Sequence, residues 1–219
     1  MSLNLLPVYT ANAIRMTEQN RYHLGSNTLL PKNWLNIDYA QNYPQGEFCS
    51  PPTAPDRTHI ILNWDLTKGL PADPNSLEYV YHSHLLEHLN YRDGLKLLSE
   101  IYSALKVGGR QRIVVPDLER YCKGYLNYHD KFLDQFRDSE TGIQSDIFET
   151  RGSIFMSQFY EQDHKMGWDF ETLFVALKKL GFRNIKRTQW HESDFPDLNS
   201  LESDEPFRIA ESLYAECEK

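Results

Sequence analysis

Cysteine is scarce in this 219-residue sequence, and its three copies form no recognisable motif. Cys49, Cys122 and Cys217 lie far apart, and no C-x-x-C sequence occurs. A disulfide framework normally uses an even number of cysteines in a short secreted chain, so we expect reduced thiols instead. The first thirty residues also lack the basic start and apolar core of a secretion signal. We therefore expect a cytoplasmic protein.

Long apolar runs and an excess of basic residues are absent as well. No apolar run approaches the roughly 20 residues that a membrane-spanning helix needs, so we expect no membrane association. The formal net charge is −8, and nucleic-acid binding normally requires clustered lysine and arginine. Nucleic acid is therefore a disfavoured partner. Hydrophobic residues make up 40% of the chain, which excludes a disordered composition and predicts one folded domain over residues 1–219.

Apolar segments separated by turn residues predict a series of β-strands. They are RYHL ending at Gly25, WLNID from Trp34 to Asp38, THIILNWDL ending near Asp65, LEYVYHS, and RQRIVVPD. Continuous runs of Val, Ile and Leu are typical of strands buried on both faces, which favours a parallel sheet. Residues 41–57 contain four prolines and predict a loop with little regular structure.

One helix is predicted between the last two of these strands, from about Tyr91 to Val107. Its apolar residues fall on one face at three- and four-residue spacing, and they are Leu95, Leu98, Ile101, Tyr102 and Leu105. Gly108 and Gly109 supply the left-handed stop that the end of a helix favours. Strand, helix, Gly-Gly and strand together predict a βαβ unit.

The second half of the chain predicts more helices. Residues 117–167 are rich in aromatic side chains and predict a helical lid or insertion at one end of the sheet. A further helix follows, with Asp169 as its N-cap and Gly181 as its stop. FRNIKRTQW predicts a strand, whereas RIAESLYAECEK allows either a helix or a last strand. Residues 1–18 are weakly patterned and predict a short helix or a loose arm.

Taken in order, these segments resemble a class I S-adenosylmethionine-dependent methyltransferase. The resemblance spans residues 21 to 219 and rests on HLGS, WLNIDY, DLTKGLP, LEYVYHSHLLEHL, EIYSALKVGGRQRIVVPDLERY and HKMGWDFETLFVALKKLGFRNI. The run L-K-x-G-G-x-x-x-I-x-x-P-D is fairly specific, and the order of the elements is stronger evidence than any single one. The resemblance implies an α/β, Rossmann-like, doubly wound and mostly parallel sheet.

The resemblance also implies that S-adenosylmethionine is the cofactor and where it binds. Gly25, with Ser26 beside it, corresponds to the turn that lets the backbone approach the ligand. Asp38 corresponds to the acid that binds the ribose hydroxyls, and Asp65 to the acid that binds the adenine amino group. The remaining residues are Leu66, an apolar wall for the adenine ring, and His82 and Ser83, neighbours of the methionine part.

The sequence departs from the pattern of that family in its first crossover. Only residues 26–33 separate the first two strands, whereas a parallel crossover normally needs a dozen or more residues. Gly25 is also alone where two or three glycines are usual. We therefore expect one face of the sheet to be thinly covered, either by the N-terminal arm or by a second subunit in a homodimer. A non-catalytic, cofactor-binding domain that serves as a scaffold is the alternative function.

The histidine-rich stretch YHSHLLEHLN, from Tyr81 to Asn90, allows two kinds of site. H-x-x-E-H also occurs in inverted zinc proteases, but too little helix fits after this strand for that fold. Some O-methyltransferases carry E-x-x-E-H at this place and hold a divalent ion there. By that resemblance, His84, Glu87, His88 and His164 are alternative metal ligands, although a metal is not favoured.

The metal-free interpretation assigns proton transfer to the same histidines. An imidazole titrates near neutral pH, so His84, His88 or His164 could remove a proton from an acceptor hydroxyl. Tyr160 and Trp168 could line the acceptor pocket. The acidic charge and the short chain favour a small-molecule acceptor, and the resemblance points to the hydroxyl of a sugar or natural product. We therefore expect an O-methyltransferase.

Overall fold

A computed structural model of the protein describes residues 19–27, 29–40, 43–49, 61–137 and 149–219. The expected N-terminal arm, residues 1–18, lies outside these described residues. In the described part, eight strands form one sheet in the order β3-β4-β2-β1-β5-β6-β8-β7. They are β1 (Arg21–Leu24), β2 (Leu35–Asp38), β3 (Phe48–Cys49), β4 (Ile61–Asn63), β5 (Leu77–Ser83), β6 (Leu105–Pro116), β7 (Arg183–Thr188) and β8 (Ser212–Glu218).

The sheet is mostly parallel, as the sequence predicts. β1 lies between β2 and β5 and is parallel to both. β2 is also parallel to β4, and β5 to β6. β3 and β8 run antiparallel to their neighbours, and β8 separates β6 from β7. The strand order reverses between β1 and β5, which is where open α/β sheets bind ligands.

Six α-helices connect or cover the strands in the described residues. They are α1 (Tyr91–Ala104), α2 (Leu118–Leu126), α3 (Arg151–Tyr160), α4 (Phe170–Leu180), α5 (Leu198–Leu201) and α6 (Pro206–Glu211). Short 3-10 turns occupy Leu66–Lys68, Leu86–His88 and Phe132–Arg137. No helix in this part of the chain combines the length and hydropathy that crossing a lipid bilayer requires.

The first face of the sheet is covered by α1 and α4, whose apolar stripes join one core with the strands. The helices contribute Leu97, Leu98, Ile101, Leu173 and Leu177, all of which are buried. The side chain of Asp169 accepts a hydrogen bond from the backbone of Thr172 and so begins α4 as predicted. Gly181 ends that helix in the left-handed conformation.

The second face is covered by the chain between β7 and β8. Phe195, Leu198 and Leu201 from this connection pack against Tyr81 and Val114 of the central strands. The described residues between β1 and β2, 25–27 and 29–34, contain no helix. The connection thus occupies space that a helical first crossover would otherwise fill. We expected an arm or a second subunit to cover this face, and the connection between β7 and β8 covers part of it.

The helix between β5 and β6 is shorter than the sequence predicts, and Gly108-Gly109 does not end it. α1 stops at Ala104, and Leu105 is already extended and paired with Leu77 in the sheet. Gly108 adopts a φ of 79° inside the irregular start of β6. A side chain at Gly109 would meet the carbonyl oxygen of Lys106 at 2.9 Å. The glycines therefore allow a sharp turn and close backbone packing within the strand.

Two further differences concern segments with weak patterns. Phe48–Cys49 forms a short antiparallel edge strand in the region predicted to be a loop, although residues 41–42 and 50–60 lie outside the described part. The last segment contains both structures that its pattern allowed, since α6 ends at Glu211 and β8 begins at Ser212. The helices predicted within residues 117–167 are present as α2, a 3-10 turn and α3, which share an aromatic core around Tyr121 and Phe132.

Candidate active site

A cavity of about 710 Å³, which we call the strand-end cavity, opens at the carboxyl ends of β1 and β5. Part of its lining comes from these strands and the residues that follow them, namely His23, Gly25, Ser26, Tyr81, Ser83 and His84. Another part comes from the connection between β7 and β8, including Trp190, His191, Glu202, Asp204, Glu205 and Arg208. The cavity therefore lies where the strand order reverses, as expected for the ligand site of this fold.

The turn after β1 is tight, and a side chain at its first residue would crowd Leu85. Gly25 has a φ of 64°, and an added Cβ would meet Leu85 at 3.2 Å. The backbone N–H groups of Gly25 and Ser26 both donate to the carbonyl oxygen of Ile37. The Ser26 hydroxyl is buried beside the cavity and has no hydrogen-bond partner among the described residues. This turn can therefore offer a polar group to a ligand at close range.

Asp38 is the last residue of β2 and Asp65 follows β4, two neighbouring parallel strands, at the same edge of the sheet. The Asp38 carboxylate accepts hydrogen bonds from the backbone N–H groups of Asn27, at 2.6 Å, and Tyr39, at 2.7 Å. Asp65 accepts from the backbone and hydroxyl of Thr67, and these hydrogen bonds lower the pKa of Asp65. Neither acid, nor Leu66, lines the strand-end cavity. They lie to one side of it along the strand ends.

His23 and His82, on adjacent strands, lie on opposite faces of the sheet and are both buried. His23 lines the cavity on the second face and contacts the ring of Tyr81. His82 lies on the first face, where its Nε2 is 2.7 Å from the Gln111 side chain. Burial lowers the pKa of His23 to about 3 and that of His82 to about 4. Both imidazoles are therefore neutral at physiological pH.

His84 is the one predicted catalytic histidine that lines the strand-end cavity. It follows β5 with a φ of 50°, a left-handed conformation that is uncommon for residues other than glycine. Its Nε2 lies 3.0 Å from the Ser212 hydroxyl oxygen. Its Nδ1 lies 3.2 Å both from Arg208 Nη1 and from Glu87 Oε1. Since one nitrogen cannot both donate to Glu87 and accept from Arg208, the imidazole has two alternative hydrogen-bonding arrangements.

His88 and His164 form a separate cluster with Glu87, which we call the Glu-His-His cluster. One potential ligand atom from each residue lies within 4.8 Å of the others, and the two imidazole centres are 4.9 Å apart. The Glu87 backbone carbonyl accepts from Lys165 and Met166, which draws the chain after α3 to this place. Burial opposes ionisation of Glu87, but the nearby His84 and His88 outweigh it and lower the pKa of this carboxyl group.

The cluster has the donor set of a divalent-metal site. Glu87 is 2% exposed, and neither of its carboxylate oxygens has a hydrogen bond of good geometry to any described residue. A buried carboxylate without donors is costly, and a cation would satisfy it. One carboxylate and two imidazoles are ligands that zinc, manganese and iron accept. His84, the fourth residue of the predicted ligand set, touches Glu87 but does not belong to the cluster.

The structure buries His82 on the first face, away from the cavity, and divides the other predicted site residues into three groups. Gly25, Ser26, Ser83 and His84 line the strand-end cavity, whereas Asp38, Asp65 and Leu66 lie beside it. Glu87, His88 and His164 form the cluster. Two expected pocket residues lie elsewhere, because Trp168 is fully buried in the main core and Tyr160 is 75% exposed.

Sequence reasoning missed the part of the cavity wall that follows β7. Trp190, Arg208 and Ser212 carry no motif, and only the fold brings them to the strand ends. His23 and Tyr81 had a weak signal. His23 lies in RYHL and Tyr81 in LEYVYHS, and the two residues occupy paired positions on adjacent strands. Two-residue periodicity would have placed both on one face.

Buried ion pairs anchor this wall to the sheet. Arg112 of β6 is fully buried and donates to Glu202 and to Glu216, at 2.7 Å in each case. It also donates to the Thr188 hydroxyl and to the Gln189 backbone carbonyl. Glu202 in turn accepts from the backbone N–H of His191. The Arg112 guanidinium therefore contacts the chain at Thr188 and Gln189, where it leaves β7, and again at Glu202 beside the cavity.

Comparison with known proteins supports the fold. No protein-family model matches the sequence, and no curated protein matches it significantly. A SAM-dependent methyltransferase from Archaeoglobus fulgidus is 16% identical, with a TM-score of 0.53 over 95% of this chain and 92% of that one. A methyltransferase from Thermotoga maritima, described as a possible histamine N-methyltransferase, is 15% identical, with a TM-score of 0.54 over 97% and 88%. The predicted fold class, that of the Rossmann-like methyltransferases, is confirmed.

Proposed function

We propose that the protein catalyses methyl transfer from S-adenosylmethionine to a hydroxyl group of a small molecule, such as a sugar or a natural product. One observation carries this proposal. The strand-end cavity opens at the switch point of the methyltransferase fold, between the Gly25 turn and the chain that follows β7. Ligands bind at this point in open α/β sheets.

The residues present fit the cofactor. The left-handed turn at Gly25 favours glycine, and the buried Ser26 hydroxyl lacks a partner among the described residues. A carboxylate offers about four acceptor sites, so Asp38 can accept from ribose hydroxyls while it holds Asn27 and Tyr39. We assign Asp65 to the adenine amino group, Leu66 to the adenine ring and Ser83 to the methionine part. His82 supports β5 from the first face through Gln111.

The bound cofactor supplies an electrophilic methyl group on a sulfonium ion, so the protein needs no nucleophile of its own. Its task is to align the acceptor and to remove a proton. As the acceptor oxygen gains the methyl group, the carbon–sulfur electron pair returns to sulfur and the hydroxyl proton must leave. We assign His84 as the base, because its Nε2 lies at the cavity beside the Ser212 hydroxyl.

Calorimetry with S-adenosylhomocysteine and S-adenosylmethionine tests the proposal. We expect one site per chain with a dissociation constant in the micromolar range. Absence of binding by either compound at millimolar concentration would refute the methyltransferase function. Binding of both without turnover of any hydroxyl acceptor would instead support the scaffold alternative.

Asp38→Ala tests the ribose assignment. A hydrogen bond to a charged group contributes about 1.5–3 kcal/mol, so we expect S-adenosylhomocysteine to bind about 10- to 100-fold more weakly. Glu171→Ala is the control, because Glu171 is an exposed acid on α4. Wild-type affinity in Asp38→Ala, with a wild-type circular dichroism spectrum, would show that the assignment is wrong.

A metal-dependent form of the same reaction is a second candidate, and the Glu-His-His cluster is the observation that favours it. Glu87, His88 and His164 would hold the ion, and a divalent ion would supply Lewis-acid polarisation of an acceptor oxygen. His84 would keep its role, since it lines the cavity and lies outside the cluster.

Metal titration distinguishes the two forms of the reaction. After treatment with a chelator, wild-type protein should bind one Mn²⁺ or Zn²⁺ per chain, and His164→Ala should not. His129→Ala, which changes an exposed histidine, should bind as wild type does. If the wild-type protein binds neither ion, the metal-free form remains.

A further inference from the structure

The lining of the strand-end cavity carries information about the acceptor, and the inference drawn from it rests on the proposed function. The cofactor elements of this fold lie on the strands and their turns. The part of the lining that follows β7 is therefore available to the acceptor, and it includes Trp190, Asp204, Glu205 and Arg208. Its charge, hydrogen-bonding capacity and aromatic surface each restrict the class of molecule that fits.

The charge of this wall disfavours an anionic acceptor. Glu202 is paired with the buried Arg112, and Arg208 donates to Glu211 at 2.8 Å. Asp204 and Glu205 are exposed at the cavity and have no cationic partner among the described residues. The wall thus offers no uncompensated cation for a phosphate or carboxylate, and its two free carboxylates repel either group.

The hydrogen-bonding groups favour a ligand that both donates and accepts. The hydroxyls of Ser26 and Tyr81 are buried at the cavity and have no hydrogen bond of good geometry within the described part of the chain. Leaving such a group unpaired costs about 1–3 kcal/mol. Ser203, Ser212 and Tyr214 add further hydroxyls to the lining. An ammonium group can only donate and a phosphate mainly accepts, whereas a hydroxyl does both.

Trp190 provides a fixed aromatic surface at the same place. Its indole N–H donates to the carbonyl oxygen of Ser203 at 3.0 Å. Its ring stacks on His191, with the ring centres 4.0 Å apart and the planes inclined by 16°. The face of an aromatic ring carries partial negative charge and attracts C–H groups that neighbouring oxygens have made electropositive. Sugar rings present such C–H groups on one side and hydroxyls at their edge.

We infer that the acceptor is a neutral sugar ring, bound with its C–H surface on Trp190 and its hydroxyls toward Asp204, Glu205 and the serine hydroxyls of the cavity. One ring hydroxyl then lies toward His84, which lines the same cavity. Sugar phosphates and uronic acids are excluded as preferred acceptors, because the two free carboxylates of this wall repel their negative charge.

Saturation-transfer NMR on protein loaded with S-adenosylhomocysteine tests this inference. The probes are neutral hexoses, 6-deoxyhexoses and pentoses, with the corresponding 6-phosphates and uronic acids at equal concentration. We expect at least one neutral sugar to bind with a millimolar dissociation constant and its charged counterparts to bind at least ~10-fold more weakly. Trp190→Ala should weaken the neutral sugar ~10-fold.

The double variant Asp204→Asn, Glu205→Gln should reduce the difference in affinity between neutral sugars and sugar phosphates or uronic acids. Glu192→Gln, which removes a nearby exposed acid outside the lining, should leave it unchanged. Tighter binding of a charged sugar than of its neutral counterpart, or no binding of any neutral sugar, would overturn the inference. Calorimetry with S-adenosylhomocysteine reports separately on the proposed function, so failure of cofactor binding and failure of sugar selectivity are distinguishable.

Discussion

Gly25 joins backbone geometry to ligand binding at a single residue. Its φ of 64° is accessible to glycine without strain, and its missing side chain leaves Leu85 in place against the turn. Gly108 has a similar φ of 79° but faces open space, since no atom lies within 4 Å of its virtual Cβ. Substitutions at the two glycines therefore distinguish the effect of left-handed backbone strain from the effect of a side chain that crowds Leu85.

We predict that Gly25→Ala and Gly108→Ala each lower the free energy of unfolding, by about 1–2 kcal/mol, because both place a side chain on left-handed backbone. Only Gly25→Ala should also weaken the binding of S-adenosylhomocysteine. Urea denaturation and calorimetry on both variants measure the two effects. Equal loss of affinity in the two variants would contradict a local role for the Gly25 turn.

His23 makes the stability of the fold depend on pH. Burial lowers its folded pKa to about 3, against about 6.5 in an unfolded chain, so the unfolded state binds a proton more readily between these values. Stability is fully present above about pH 6.5 and is lost as the pH falls toward 3. At pH 5 this one group should remove about 2 kcal/mol.

The variant His23→Gln should lose less stability than wild type between pH 7 and pH 5. His129→Gln, which replaces an exposed histidine, should keep the wild-type dependence. Urea denaturation at the two pH values gives the comparison. If His23→Gln loses as much stability between pH 7 and pH 5 as wild type does, His23 is not buried as a neutral group.

At the scale of elements, Arg112 determines how the connection from β7 to β8 lies on the second face. Replacing it by leucine leaves Glu202 without its buried partner, and Glu216 retains only Arg110 and Lys186. Breaking a buried ion pair in this way costs about 3–5 kcal/mol. We predict a loss of that size for Arg112→Leu.

Chemical denaturation measures this loss, and Lys106→Ala is the matched control. Lys106 pairs with Glu78 at 2.9 Å, but both side chains are more than 40% exposed. Such surface pairs contribute less than about 1 kcal/mol. A similarly small loss for Arg112→Leu would show that the connection does not depend on the buried pair.

The elements differ in how far the sequence determines them. Apolar runs make the strands β1, β2, β5 and β6 predictable. The helix α4 is predictable because its apolar periodicity agrees with its caps. The end of α1 is not, since Gly108-Gly109 has the chemistry of a helix stop and serves inside β6 instead. Tertiary pairing of Leu105 with Leu77 overrides the local signal there. The cover of the second face is a long-range contact that no local pattern indicates.

At the scale of the whole molecule, ligand binding should raise stability. A ligand that binds only the folded state at 100 times its dissociation constant adds about 2.7 kcal/mol. For a chain of this size that corresponds to an increase in melting temperature of about 5–10 °C. We predict this shift for S-adenosylhomocysteine in a thermal unfolding assay. A shift of equal size for Asp38→Ala at the same ligand concentration would contradict the ribose assignment.

The candidate site is only partly predictable from the sequence for a related reason. Gly25, Asp38, Asp65 and the histidine motif follow strands, so the carboxyl edge of a parallel sheet gathers them. His84 and His88 nevertheless belong to different sites, because the 3-10 turn Leu86–His88 comes between them. His84 lines the strand-end cavity, whereas His88 belongs to the Glu-His-His cluster. Trp190 and Arg208 enter the cavity from a connection whose path depends on Arg112. Their positions follow from packing at long range, which no short motif records.

The antiparallel strand β8 lies between β6 and β7, although it follows both in the sequence. During synthesis β7 leaves the ribosome before any strand exists to which it can pair in this sheet. β7 therefore lacks its neighbour in the sheet until β8 has been made and inserted. Premature termination before Ser212 would yield a nascent chain with an open edge at β6, a surface that favours intermolecular strand pairing. Completion of the cavity therefore depends on β8, which contributes Ser212 and Tyr214 to its lining.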